Sequence, residues 1–300
     1  MTQRKLTRGQ ALGAVGAGAA GLAASTAAVV GVATLDRERS PLLATALTAR
    51  VAPGGVPAEE PRASGWERAE AIRVELLPQQ ISPPTLARAA VDSLVIRALH
   101  DGRSLGFLLE WEDDRADELP GIARFQDAAA VQLPTRAGAA PPPITMGGPG
   151  APVHLVQWRA SWQRDLASGR TGVTELYPDS ATEIYPEDLL DAEVARLWSP
   201  AAETGNPLAT ARESAVEELV AAGFGSATTI PPTGARGAGA WSDGRWQVAV
   251  AVPLERGAAG ASIEPGTTWP AAFAVWAGSR SNRGGRKQFA DWVAVTLEQS

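Results

Sequence analysis

Three hundred residues, 31.1 kDa, 45% apolar and 20% charged make a chain long enough for one sizeable core or two small ones. A net charge of −6 and a pI near 5.2 argue against a nucleic-acid binder, which carries a basic face. The absence of cysteine excludes a disulfide framework, a zinc finger, an iron–sulfur cluster and a thiol nucleophile in this chain, and two histidines exclude a metal site built from several imidazoles.

The basic residues are skewed: 25 are Arg and only two are Lys, Lys5 and Lys287. Methionine is equally scarce, at Met1 and Met146, whereas Trp is plentiful at 10. The bias toward Ala, Gly, Arg and Pro fits a GC-rich genome, which depletes Lys without reference to function.

The N-terminus reads as an export or anchor segment. Arg4, Lys5 and Arg8 form a basic start, and no charge follows from Ala11 to Leu35. Those residues, about 25 of them, would span about 37 Å as a helix, enough to cross a bilayer. Residues 1–39 are therefore expected to be a signal peptide or an uncleaved hydrophobic helix, with a possible membrane tether through 11–35. Either reading puts the body outside the cytoplasm. Residues 40–65 are Pro-, Gly- and Ala-rich and read as a flexible linker. The folded domain is expected at 66–300.

The body reads as mainly β. Alternation places Ile72, Val74 and Leu76 on one face of a strand over Ala71–Leu77. Leu94–Leu99 and Leu105–Trp111 flank His100-Asp101-Gly102-Arg103, a hairpin with an Asp-Gly turn. Further strands are expected at Phe125–Leu133, Val153–Trp162, Trp246–Val252, Trp269–Trp276 and Trp292–Leu297. Helical spacing marks Pro186–Trp198 and Leu208–Ala222. The whole fits an antiparallel β-sandwich or barrel with a few helical insertions, preceded by the N-terminal hydrophobic helix. The long stretch Pro134–Pro152 has no pattern of its own, and loops of that length are commonly functional or disordered.

The chemistry-bearing residues are few. Met146, in Ile144-Thr145-Met146-Gly147-Gly148, is either a loop residue packed on the domain or a soft axial ligand for haem iron. In the second case Gly147 would let the backbone approach a flat macrocycle. Lys287, just before the last strand, is either a solvated surface lysine or an amine that burial has made neutral enough to ligate a metal. Arginine could not take that role, because its guanidinium stays protonated. His154 lies in a strand and is the alternative partner for Met146; His100 lies in a turn. The acidic run from Glu110 to Glu118 could hold calcium but lacks the spacing of a calcium loop, and a solvated loop is the simpler reading. The tryptophans could line a sugar-binding face or fill the core. No nucleophile elbow, P-loop or dinucleotide turn is present.

The order of segments resembles a known family. It runs from Trp66-x-x-Ala69 and Leu77-Pro78-Gln79-Gln80-Ile81 through Val95-Ile96-Arg97-Ala98-Leu99-His100-Asp101-Gly102 and Trp111-Glu112-Asp113. It continues with Phe125-Gln126-Asp127, Met146-Gly147, Trp158-Arg159-Ala160 and Gly205-Asn206-Pro207. It closes with Gly223-Phe224-Gly225, Trp241-Ser242-Asp243-Gly244-Arg245-Trp246, Ala272-Phe273-Ala274-Val275-Trp276 and Lys287-x-x-x-x-Trp292. This is similar to the haem b-binding γ subunits of the ethylbenzene dehydrogenase, dimethylsulfide dehydrogenase, selenate and chlorate reductase group of molybdoenzymes. The resemblance covers roughly Trp66 to Leu297. It implies a β-sandwich holding one haem b in an apolar slot between two sheets, with Met146 and Lys287 as axial ligands. Arg283 and Arg286 are then candidate partners for the propionates. It further implies a non-catalytic electron-transfer subunit, exported to the periplasm or an equivalent space. Its expected partners are an iron–sulfur β subunit, a molybdopterin α subunit, and a cytochrome c or quinone-linked carrier. Two other readings stay open: a Trp-rich carbohydrate-binding module, and a stand-alone cytochrome with Met146 and His154 as ligands.

Overall fold

The computed structural model describes residues 45–138, 140–179, 200–204, 206 and 213–299. These belong to one compact unit, 43–300. The expected N-terminal helix and the helical pattern over Pro186–Trp198 lie outside the described residues. Among the described residues no helix is long and apolar enough to cross a membrane.

The chain forms one large mixed sheet folded over on itself. One half carries β2 (Ile72–Glu75), β4 (Ser93–His100), β5 (Ser104–Glu112), β10 (Arg236–Ser242) and β11 (Arg245–Pro253). The other carries β6 (Ala128–Pro134), β7 (Val153–Arg159), β8 (Val216–Ala221), β9 (Thr228–Thr229) and β12 (Thr268–Trp276). β1 (Thr45–Val51) and β14 (Val293–Leu297) join them, giving the order β10-β11-β5-β4-β1-β14-β12-β6-β7-β8-β9. Two short strands, β3 (Leu77–Pro78) and β13 (Gln288–Phe289), extend from β12.

Every strand read from alternation in the sequence is present. The hairpin of β4 and β5 forms around Asp101-Gly102, with Asp101 Oδ1 accepting the backbone N–H groups of Arg103 and Ser104 at 2.9 and 2.7 Å.

Four expectations are corrected. Residues 40–65 are not all linker: Thr45–Val51 is a strand, because Leu47 and Ala49 alternate inward against Thr48 and Arg50. The sheet is not wholly antiparallel, since β1 runs parallel to both β14 and β4. Over Leu208–Ala222, Val216–Ala221 is β8 rather than helix; its apolar residues fit either period, and pairing with β7 decides for the strand. The strand from Val153 stops at Arg159, and Ala160–Ser168 is a helix begun where Gln126 Oε1 accepts the Ser161 N–H at 3.0 Å.

The two halves of the sheet face each other across the main core. Phe107 of β5 meets Phe273 of β12 edge-on at 5.3 Å, and Trp158 of β7 meets Trp246 of β11 at 4.9 Å. Burial of such side chains stabilises by about 1.5–3 kcal/mol each. Among the described tryptophans only Trp241 is not buried, and Trp111, Trp158, Trp246 and Trp269 lie in the main core, so the described tryptophans present no exposed aromatic platform for sugars.

Candidate functional site

The β12–β6–β7–β8 half of the sheet has a second, outward face. On β7 the residues Leu155, Gln157 and Arg159 point outward, while His154, Val156 and Trp158 point into the core. Across the neighbouring strands Ala130, Ala272, Ala274 and Leu219 make most of this outward face apolar, with Gln132 on β6 and Glu217 on β8 as its polar members. Loops over 79–84, 144–146, 224–227 and 284–290 close over this floor. They enclose a mostly apolar cavity of about 490 Å³, within the range of small-molecule and cofactor sites. The expected slot between two sheets is thus corrected: the cavity lies between one sheet and its covering loops. Packing the two inner faces on Phe and Trp leaves no slot there.

Met146 and Lys287 both line this cavity. Met146 is held by a tight turn. Its N–H donates to Ile144 O at 2.8 Å, and its carbonyl accepts the Gly223 N–H at 2.9 Å. Trp292 Nε1 ties the same loop down through Pro142 O at 3.0 Å. Met146 has φ +68°, a left-handed conformation that costs an L side chain about 1–2 kcal/mol. The side chain packs beside Leu155, Ala272 and Trp292.

Gly147 does not line the cavity, and its expected role in letting a macrocycle approach is replaced by another. At φ +76° a Cβ there would stand 2.6 Å from Ala151 O and 3.2 Å from Ala221 O. The protein's own backbone is what requires glycine. Gly147→Ala is expected to lower stability by about 2 kcal/mol or more. A urea midpoint that does not move would refute this.

Lys287 sits between the turn Arg283–Arg286 and β13. Gln79 braces it. The Gln79 N–H donates to Lys287 O at 2.9 Å, and its side-chain amide donates to Gly285 O at 2.8 Å and Ser82 O at 2.7 Å. The Gln79 side-chain oxygen Oε1 accepts the N–H groups of Ile81 and Ser82. One buried amide thereby joins the 79–84 loop to the lysine loop. The Lys287 ammonium lies 5.3 Å from the Trp276 ring centroid. Its side chain keeps some accessible surface along the cavity yet lies deep among protein atoms, and that burial lowers its pKa to about 8. No carboxylate forms an ion pair with it among the described residues.

The other candidates fall elsewhere. Arg283 is exposed, its guanidinium 4.3 Å from the Phe125 ring centroid. Neither it nor Arg286 is among the described residues lining the cavity. His154 is fully buried on the core side of β7, with Nε2 3.1 Å from Glu218 Oε2. It cannot share a ligand with Met146 without crossing the sheet. His100 is buried at the end of β4. The acidic run gives no cation site: among the described residues no group of three or more His, Cys, Asp or Glu side chains is placed to hold a metal.

Sequence reasoning passed over Trp276, Gln79 as a brace, and Arg159. The signal for Arg159 was present: it shares the period-2 face of β7 with Leu155, opposite His154. Gln79 stands within the Leu77–Ile81 motif, which carried the resemblance without a role.

A thioether, and a buried amine once it has lost its proton, are each able to ligate a transition metal. The fold and the cavity define a mainly β protein whose binding site is backed by a sheet and roofed by loops. The family model described as Ethylbenzene dehydrogenase matches residues 63–288, and the chain belongs to that family. A protein of Haloferax mediterranei named as a respiratory nitrate reductase heme subunit is 26% identical over 236 residues, 78% of this chain. The match spans 66% of that relative's length. The chlorate reductase subunit gamma of Ideonella dechloratans is 27% identical over 81% of this chain and 79% of its own length. A solved carbohydrate binding module of family 9 from Caldicellulosiruptor kristjanssonii, in complex with glucose, aligns at 10% identity with a TM-score of 0.40, covering 84% of this chain and 96% of that one.

Proposed function

We propose that this chain binds one b-type haem through Met146 and Lys287. In this reading it is a non-catalytic electron-transfer subunit of an exported molybdoenzyme. It relays single electrons between an iron–sulfur subunit, itself joined to a molybdopterin subunit, and an external carrier such as a cytochrome c or a quinone-linked protein. The observation that carries the reading is that a thioether and a pKa-lowered amine, far apart in sequence, face one apolar cavity. The family match and the two relatives, one named a heme subunit and one a gamma subunit, support the same reading.

A bound haem supplies reversible one-electron chemistry at its iron. The chain's residues do the rest. Met146 and Lys287 would be the residues of this chain that hold the haem iron. The Met146 turn and the Gln79 brace hold the backbone of both residues in place, which would limit rearrangement when the bound group changes charge. The largely apolar floor and the loops over it would limit the water around the group. Methionine raises the reduction potential and a stronger amine donor opposes it.

Reduced-minus-oxidised spectra of the full chain reconstituted with haem test this. The expected result is a low-spin b-type signal that Lys287→Ala and Met146→Ala each disturb and His154→Ala leaves unchanged. A wild-type protein with no haem signal, or a Lys287→Ala spectrum identical to wild type, overturns it.

A further inference from the structure

The cavity wall carries one arginine among its described residues, Arg159, at the outward end of β7. Its position is fixed from three sides. Nη2 donates to Glu217 Oε2 and, at 3.1 Å, to Gln157 Oε1. Its guanidinium stands 5.4 Å from the Trp162 ring centroid. Glu217 is buried on β8 and is itself held by Thr229 Oγ1, which donates to Oε1 at 2.6 Å. These contacts spend one side of the guanidinium. Nε is buried and has no protein acceptor, which leaves one donor of the guanidinium unspent. The rest of the wall is mostly apolar, interrupted by Gln79, Gln132, Gln157 and Lys287. Such a cavity suits a flat apolar body with an acidic edge, and the pre-oriented guanidinium is the group that would meet that edge.

We propose that Arg159 anchors a carboxylate of the cavity's ligand, and that Glu217 is a positioning residue for it. On the haem reading, on which this inference rests, the carboxylate is a propionate. Arg283, stacked on Phe125 outside the cavity, does not take that part.

The test compares two probes on the full-length apoprotein: haem, and haem with both propionates esterified as methyl esters. Binding is read by absorbance titration, independently of electron-transfer activity. Wild type is expected to prefer the free acid about tenfold. The pair Arg159→Gln/Glu217→Gln, which removes both charges together and leaves no unpaired buried carboxylate, is expected to bind the two probes within about twofold. Arg159→Lys, which keeps a cation, is expected to retain part of the preference and stands in if the double variant does not fold. A double variant that still prefers the free acid tenfold, or a wild type with no preference, overturns the anchor. A wild type that binds neither probe overturns the haem reading itself.

Discussion

Lys287→Met is expected to make the ligand-free protein more stable at pH 7. Burial takes the ammonium from an ordinary 10.5 to about 8. That interval of 2.5 (10.5 − 8), at 1.36 kcal/mol per pH unit, is about 3.4 kcal/mol at most. The side chain's remaining accessibility brings the expected gain to about 2–3 kcal/mol. The sign follows from linkage. Below pH 8 the amine is charged in both the folded and the unfolded chain, and folding bears the whole cost of burying the charge. Between pH 8 and 10.5 the folded chain releases its proton first, so wild-type stability rises with pH from this group. Above 10.5 both states are neutral and the cost is gone. The advantage of Lys287→Met is therefore largest at neutral pH and fades toward pH 10.5. Urea midpoints of both proteins at neutral and alkaline pH measure it. A gain that stays constant with pH would come from packing instead, and no gain at all would place the amine in water. Methionine is close to the lysine stem in length, so the packing against Trp276 is largely kept. On the haem reading, a residue that weakens the empty fold but offers a neutral donor when deprotonated serves binding rather than stability.

The parts of this protein that were legible in its sequence are those where one physical rule acts alone. β4, β5 and β11 alternate or run apolar between turn residues, and they form where expected. Rarity also spoke: in a chain that uses Arg almost everywhere, Lys287 and Met146 stood out, and they meet at one cavity. The family segments agreed with the matched residues 63–288. Other features depended on partners far away in the chain. β1 gains its identity from β14 and β4, and in isolation it reads as part of a tether. In β8, Val216, Glu217 and Glu218 are consecutive buried residues, because one face meets the core and the other the cavity wall. That pattern removes the alternation that distinguishes strand from helix. Alternation along β7 puts His154 and Leu155 on opposite faces, but a period of two cannot say which face meets the core. The direction of the cavity, and with it the role of Arg159, was therefore visible only once the sheet had folded over.

Asp127→Ala is expected to be the most damaging single change outside the cavity, at about 3–5 kcal/mol. The side chain is fully buried at the start of β6. Oδ2 accepts the Asp117 N–H at 2.6 Å and Trp246 Nε1 at 3.0 Å, while Oδ1 accepts the Gly278 N–H at 2.8 Å. Truncation strands two buried donors, Trp246 Nε1 and the Gly278 N–H, and the half-buried Asp117 N–H, a buried donor costing about 1–3 kcal/mol when unmet. The carboxyl is pushed up to about 7, by burial first and the nearby Asp113 carboxylate second, against the pull of those three donors. Because its folded pKa lies above the ordinary 3.8, this group's charging lowers stability as pH rises from 3.8 to about 7. Asp127→Asn removes that pH dependence and keeps one acceptor, so its loss is expected to be about half that of alanine. The damage reaches the cavity. Gly278 opens the segment that leads through the Arg283–Arg286 turn to Lys287, and Trp276 Nε1 holds Gly284 O at 3.0 Å within it. A loosened Gly278 should free the lysine end of the site. Asp127→Asn is therefore expected to release haem several-fold faster than wild type while remaining folded. Denaturation midpoints and haem-loss rates on the same preparations separate the two effects. Equal stability of Asp127→Ala and wild type would show that the three N–H groups find other acceptors, and the buried carboxylate would then have no structural role.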